Sequence, residues 1–183
     1  MATALVILAQ GGEEMEATIT IDVLRRGGVD VVVAGLDGDA PVLCSRKVRI
    51  VPDVALAAAK GPFDVVILPG GLEGAKRLSE STAVGELLRA QEAAGRAVAA
   101  ICAAPIALAR HDVFAGHRLT GYPSVHDEIA KHGELVSAPV VQDRNLVTSQ
   151  GPGTAFAFAL ALVERLAGKE TADQVRKGLL LAG

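Results

Sequence analysis

Two residues in this chain combine chemical capability with a position a fold could exploit: Cys102 and Glu16. Cys102 ends the apolar run Ala97-Val98-Ala99-Ala100-Ile101. Small residues follow it, Ala103-Ala104-Pro105, and then the helical pattern Ile106-Ala107-Leu108-Ala109. This pattern predicts a buried strand, a sharp turn and a helix, with the cysteine on the turn. A thiol there points out of the sheet toward a helix N-terminus, whose partial positive charge favours a thiolate. Strand-to-helix elbows position the nucleophiles of hydrolases in the same way. The competing use of such a residue is as a small buried hydrophobe, since free cysteine is among the most buried residue types.

A nucleophile needs an acid–base partner. Glu13, Glu14 and Glu16 all follow the first apolar run. For Glu13 and Glu14 a first-turn interaction with the helix dipole, worth about 0.3–1 kcal/mol each, is reason enough to be there. Glu16 shares a helix face with Ile19, Thr20 and Val23. If that face turns inward, Glu16 is buried, its pKa rises, and it keeps a proton with which to hydrogen-bond the sulfur. Histidine is the usual partner of a catalytic cysteine, and His111, His117, His126 and His132 qualify by type. All four lie in polar or irregular segments and are read as surface residues. His126-Asp127-Glu128 resembles the His-x-Glu of glutamine amidotransferases but follows Cys102 too closely, and is read as chance. Gly71-Leu72-Glu73-Gly74-Ala75-Lys76 lacks the spacing and the Ser or Thr of a phosphate loop, and Gly151-Pro152-Gly153 is a turn that starts a helix.

The composition excludes several classes. The chain has 183 residues, half of them apolar, and a formal net charge of −3. That length suits one packed domain covering 1–183. No Lys/Arg cluster provides a nucleic-acid footprint, and with one Tyr and no Trp a base-stacking platform is not expected. Two cysteines make no disulfide framework, and no CxxC, HExxH or clustered His/Cys spacing points to a metal. No cofactor motif is present. Ala4-Leu5-Val6-Ile7-Leu8-Ala9 is short and lacks preceding basic residues, so it reads as a first strand and not as a signal peptide. No apolar run approaches the roughly 20 residues of a membrane span. A soluble cytoplasmic protein is expected.

The elements that must position Cys102 and Glu16 alternate along the chain. Near-continuous apolar runs at 3–9, 29–34, 63–68 and 97–101 predict parallel strands covered on both faces. Between them, 13–26, 73–78 and 82–94 predict helices, with Ser79 or Ser81 as a cap. Short extended segments are expected at 41–44 and 48–51, and a short helix at 54–60. The helix after Cys102 is read as Ala103 to Arg110. Ser124 to His132 is read as a serine-capped helix, and 139–141 and 146–149 as strands. Thr154 is expected to cap a helix running to Leu166, and a last helix covers 170–180. This is an α/β chain with helices on both faces of a mostly parallel sheet. Ligands of such sheets bind beyond the carboxyl ends of the strands. Those ends are Gln10-Gly11-Gly12, Pro69-Gly70-Gly71, Cys102-Ala103 and Ser149-Gln150-Gly151. Glycines there let backbone N–H groups approach a ligand and stabilise an oxyanion.

Six motifs in order carry a resemblance along almost the whole chain. They are Ala4 to Ala9 followed by Glu13-Glu14-Met15-Glu16; Cys44-Ser45-Arg46; Leu68-Pro69-Gly70-Gly71; Ala99-Ala100-Ile101-Cys102-Ala103-Ala104-Pro105; and Thr148-Ser149-Gln150-Gly151-Pro152-Gly153-Thr154. In these the chain resembles the DJ-one/PfpI (ThiJ) superfamily, in the branch of the Parkinsonism-associated protein and its bacterial relatives. The resemblance implies a flavodoxin-like three-layer sandwich with a cysteine nucleophile elbow, and a homodimer. It implies that Cys102 is the oxidisable nucleophile, that Glu16 is the carboxylic acid bonded to it, and that amides of Gly71 and Ala103 line an oxyanion pocket beside Gly70. Arg46 matches an arginine that the partner subunit brings to the pocket mouth, in a region near the dimer interface that includes Cys44, itself read as a structural thiol. Two departures narrow the chemistry. Peptidase-like relatives carry His directly after the cysteine, where this chain has Ala103. Some relatives carry a histidine between the Thr and Pro of a pocket loop, where Thr120-Gly121-Tyr122-Pro123 has Tyr122. A Cys–Glu pair is therefore expected in place of a Cys–His pair. The activity implied is a cofactor-independent glyoxalase and deglycase acting on small dicarbonyls and glycated adducts. The rival is a redox-sensing protective chaperone.

Overall fold

Apolar runs without alternation bury both faces of a strand, and here they build the centre of one sheet. The computed structural model describes residues 1–181. Its elements in chain order are β1 (Thr3–Leu8), α1 (Glu14–Arg26), β2 (Asp30–Gly35), β3 (Val42–Leu43), β4 (Arg49–Ile50), β5 (Val54–Ala55) and β6 (Val65–Leu68). There follow α2 (Leu72–Glu80), α3 (Thr82–Ala93), β7 (Ala97–Ile101), α4 (Pro105–Arg110), β8 (Arg118–Leu119), α5 (His126–Ile129) and β9 (Glu134–Leu135). The chain closes with β10 (Val140–Asp143), β11 (Leu146–Ser149), α6 (Ala155–Ala167) and α7 (Lys169–Gly178). Positions 182 and 183, the end of the single domain expected from the sequence, lie outside the described residues.

The main sheet runs β10-β11-β7-β6-β1-β2-β5. Its ladders are parallel except the β10–β11 hairpin. Helices α1, α6 and α7 pack together as one group, and α2, α3, α4 and α5 as another. This is the flavodoxin-like α/β sandwich expected from the sequence. β1, β6 and β7 are adjacent in its middle, so the loops after Leu8, Leu68 and Ile101 converge at one sheet end.

The helix that carries Glu16 has clear local causes. Glu13 caps it, Glu14 and Glu16 lie in its first turn, and Arg25 and Arg26 in its last, matching the helix dipole. Gly27 and Gly28, the latter at φ +73°, end it. Ser81, not Ser79, caps α3 through Val84 N–H at 3.3 Å.

Four local expectations fail. The alanine-rich stretch 54–60 is not a helix. Val54 and Ala55 pair with Ala34 and Gly35 at the sheet edge, leaving only a 3-10 turn at Leu56–Ala58. So short a segment has little cooperative helix stability to set against that pairing. Ser124 caps nothing. Pro123 starts a 3-10 turn and α5 has a single turn from His126. Thr154 does not cap α6, because its hydroxyl is bonded to Ser149 Oγ and to the Gly151 backbone. The helix after the cysteine begins at Pro105, whose fixed φ and missing N–H suit a first helical position. Among the described residues no helix is long and apolar enough to cross a membrane.

Candidate active site

Cys102 leaves β7 at φ +64°, a conformation uncommon for any residue but glycine. Neighbours fix it there. Its N–H donates to Ser149 O at 2.9 Å, and its carbonyl accepts from Tyr122 N–H at 2.7 Å. The elbow predicted from the sequence is thus present, and its backbone strain is held by bonds from two other segments. The side chain is 8% exposed. Backbone N–H groups of Gly71 and Ala103 reach the sulfur and favour its charged form.

Gly70 joins the two reactive groups. Its N–H donates to Glu16 Oε2 at 2.7 Å, and its carbonyl accepts from Glu13 N–H at 2.9 Å. A Cβ on Gly70 would stand 2.5 Å from Cys102 Cβ and 2.7 Å from Glu16 Oε2. Only a residue without a side chain lets them come this close. Gly71 adopts φ +82°, and a Cβ there would meet Gly11 O at 2.5 Å. Pro69-Gly70-Gly71, the loop after β6, is therefore where the loops after β1 and β7 meet.

Glu16 faces inward with Thr20 and Val23 and is fully buried. Burial pushes its carboxyl up to about 7, against the opposing pull of the Gly70 N–H and of the Cys102 thiol. Its second oxygen, Oε1, is buried without a partner in ordinary hydrogen-bond geometry. A bare carboxylate oxygen is costly there, whereas a protonated oxygen has the sulfur as acceptor. Burial, and then the charge of an ionised Glu16, push the Cys102 thiol up to about 12. The helix terminus alone therefore does not make a free-standing thiolate, as the sequence suggested it would. The two groups titrate as a pair. With Glu16 ionised, the thiol donates to the carboxylate; with Glu16 protonated, that repulsion is gone and the carboxyl can donate to a thiolate.

Glu13 and Glu14 do more than face the helix dipole. Both are buried. Ser45 Oγ lies 2.8 Å from Glu13 Oε2 and 2.9 Å from Glu14 Oε2, and Glu14 also accepts from the N–H groups of Arg46 and Val48. Although burial opposes it, these hydrogen bonds hold Glu14 below the usual carboxylate range. They tie the 44–48 turn to the start of α1. The sequence signal for this was the polar run Ser45-Arg46-Lys47 between two extended segments, which needed a partner for its amides.

The remaining candidates are spread out. Arg46 is exposed, its guanidinium donating to Ser45 O at 3.4 Å, and this chain does not bring it to Cys102. Tyr122 is 45% exposed and its ring packs beside Gly151 at the rim of the site. Cys44 is buried, and burial with the charges of Glu14 and Glu13 pushes its thiol up to about 11, as suits an unreactive structural thiol. The histidines are not surface residues. All are buried or half-buried, each with a ring nitrogen on a backbone carbonyl: Leu78, Phe114, Gly121 and Val113 in chain order. They satisfy carbonyls that the end of α2 and the irregular loops would leave unpaired. Among the described residues no group of three or more His, Cys, Asp or Glu could hold a metal ion.

Comparison with known proteins places the chain and its fold. Residues 2–165 match the DJ-1/PfpI family. The protein dj-1beta of Drosophila melanogaster is 55% identical over 182 residues, covering 98% of this chain and 97% of its own. Its crystal structure superposes with a TM-score of 0.97 at 54% identity, over 100% of this chain and 99% of that one. A protein of Caenorhabditis elegans named glutathione-independent glyoxalase DJR-1.2 is 44% identical over 184 residues, covering 98% of this chain and 97% of that one. The structure of Toxoplasma gondii DJ-1, described as oxidized, aligns with a TM-score of 0.95 at 36% identity over the full length of both chains.

Proposed function

Because the chain belongs to the DJ-1/PfpI family, we propose that it is a cofactor-independent glyoxalase that converts methylglyoxal and glyoxal to 2-hydroxy acids and removes early glycation adducts. The observation that carries this is the pair itself: a fully buried Glu16 whose carboxyl titrates near 7, set against Cys102 on a strained elbow. A general acid–base works best with a pKa near the operating pH. The glyoxalase name of the nematode relative supports the substrate class.

The steps follow from the groups present. The Cys102 sulfur attacks the aldehyde carbon, forming a C–S bond as its S–H bond breaks and the proton passes to the Glu16 carboxylate. The carbonyl electrons move to oxygen, which faces the amides of Gly71 and Ala103 and takes the Glu16 proton. The Glu16 carboxylate then removes the hydrogen on the former aldehyde carbon and delivers it to the neighbouring carbonyl oxygen, giving an enediol; the hydroxyl proton on the sulfur-bearing carbon is then moved to the neighbouring carbon. The result is a thioester of the 2-hydroxy acid: one carbon is oxidised, its neighbour is reduced, and no external electron carrier is needed. Water cleaves the thioester and restores the thiol. For a glycated amine the same sequence starts from the hemiaminal, with the amine as leaving group. Arg46 of a second subunit completes the mouth of the site in a homodimer, and Tyr122 forms its rim beside Gly151. The free thiols suit a reducing compartment, and we assign the cytoplasm.

The test is lactate formation from methylglyoxal without glutathione. Wild type should turn over and Cys102→Ser should not. Equal rates in the two would remove the mechanism. A peptidase role is disfavoured by Ala103 following the cysteine. A second reading, redox sensing with a protective chaperone role, is favoured by the oxidized state described for the Toxoplasma relative. Thiolates are oxidised by peroxide to sulfenic and then sulfinic acid. Intact mass after mild peroxide separates the two readings: two added oxygens on Cys102 with negligible dicarbonyl turnover would favour the sensor.

A further inference from the structure

A second concave site lies along one face of the sheet, between α3 and the 56–63 segment, and reaches Arg96 just before β7. It is a cavity of 560 Å³ whose apolar walls include Leu56, Phe63, Ala83 and Leu87. Its size falls in the range of small-molecule sites, about 300–1,000 Å³. Cys102 is six residues further along from Arg96, which puts the elbow about 20 Å away at roughly 3.3 Å per strand residue.

One polar device is built into this wall. The Gln91 side chain is 1% exposed. Its Nε2 donates to Phe63 O at 3.2 Å and to Ala97 O at 3.0 Å. Its Oε1 is thereby aimed at Arg96, whose Nε donates to it at 2.7 Å. The Arg96 backbone N–H also donates to Gln91 O at 2.9 Å. The guanidinium is thus oriented from its Nε side, half-buried, and among the described residues it has no carboxylate partner. A fixed guanidinium at the edge of an apolar cavity is complementary to a carboxylate on an apolar body. Glu86, one helix position before Leu87, is exposed on the same rim and lowers the affinity for an anion.

We propose that this cavity binds a small apolar monocarboxylate, with its carboxylate on Arg96 and its body between Leu56, Phe63 and Leu87. The site is independent of the Cys102 chemistry.

The test uses octanoate and 1-octanol on the full chain, by calorimetry and by amide chemical-shift mapping. Octanoate should bind saturably at one site, with shifts centred on 56–63 and 83–97 and on the wall residues Leu5 and Leu36, and about tenfold more tightly than octanol, as one charge-assisted contact predicts. Arg96→Gln should weaken octanoate about tenfold and leave octanol and dicarbonyl turnover unchanged. Glu86→Gln, an exposed change that leaves the fold alone, should tighten octanoate about twofold by removing a like charge. Cys102→Ser should bind octanoate like wild type. The proposal is overturned by any of four results: no saturable octanoate binding, shifts centred on the elbow, equal affinity for octanol, or no weakening in a folded Arg96→Gln. Unchanged or weaker octanoate binding in Glu86→Gln also counts against it.

Discussion

Glu16 and Cys102, from the first helix and the fifth strand of the main sheet in chain order, meet across Gly70. Its N–H holds one Glu16 oxygen at 2.7 Å while its missing side chain leaves room for the cysteine Cβ. The other Glu16 oxygen is left without a conventional partner. Replacing Glu16 by Gln keeps an acceptor for Gly70 N–H and removes the transferable proton. Dicarbonyl turnover should fall by about 10²–10⁴, the usual contribution of a positioned acid–base. The variant should remain folded by circular dichroism. A loss of less than about threefold would take Glu16 out of the proton-transfer role.

The same carboxyl makes stability depend on pH. Its pKa rises from 4.5 in the unfolded chain to about 7 in the folded one. Between these values the native state binds the extra proton. The contribution is fully present below pH 4.5, declines as pH rises, and is lost above 7. Wild type should lose roughly 3 kcal/mol relative to Glu16→Gln between pH 4.5 and 8, from about 1.4 kcal/mol per unit. Urea midpoints of both proteins at the two pH values measure this. Parallel curves would mean that Glu16 is ionised throughout.

Thiol reactivity should follow the pair and not an isolated cysteine. The proton that leaves near pH 7 is the one on Glu16, and burial with the charge of the ionised carboxylate pushes the Cys102 thiol up to about 12. Iodoacetamide should therefore label Cys102 slowly in wild type at neutral pH and faster in Glu16→Gln, which removes that charge. Equal labelling rates in the two would mean that Glu16 does not set the reactivity of the thiol. Cys44, buried and pushed up to about 11, should label slowly in both proteins.

Gly70→Ala places a methyl group 2.5 Å from Cys102 Cβ and 2.8 Å from Ile101 O. Neither neighbour is the free end of a flexible chain. The substitution should destabilise the fold by about 1–3 kcal/mol, as overpacking does, and abolish turnover by separating the pair. Thermal melting and the lactate assay give the two readouts. Wild-type activity in Gly70→Ala would show that the close approach is dispensable.

Tyr122 is anchored through its backbone N–H to Cys102 O, so truncating its side chain spares that bond. Tyr122→Ala should raise KM a few-fold with kcat within about twofold, the pattern of lost uniform binding. An equal fall in kcat and kcat/KM would instead place the ring in the transition state.

The sequence by itself determined the elements that matter most. Unbroken apolar runs fixed the parallel strands, because a strand covered on both faces has no polar side. The small residues after Ile101 fixed the elbow, and the spacing of Glu16, Thr20 and Val23 put them on one helix face, because a helix repeats its faces every three to four residues; that this face turns inward was shown by the fold. Local pattern failed at the edges. Val54 and Ala55 became a strand because β2 offered them partners; the histidines were taken up by backbone carbonyls, two of them from segments far along the chain, and Thr154 by Ser149 and Gly151 close by. Only the tertiary structure decided how Cys102 and Glu16 share a proton. Their pKa values depend on burial and on a separation set by Gly70, quantities that exist only once β1, β6 and β7 lie side by side. The roles of Glu13 and Glu14 in holding the 44–48 turn, and the seating of Arg96 by Gln91, also come from segments that only the fold brings together.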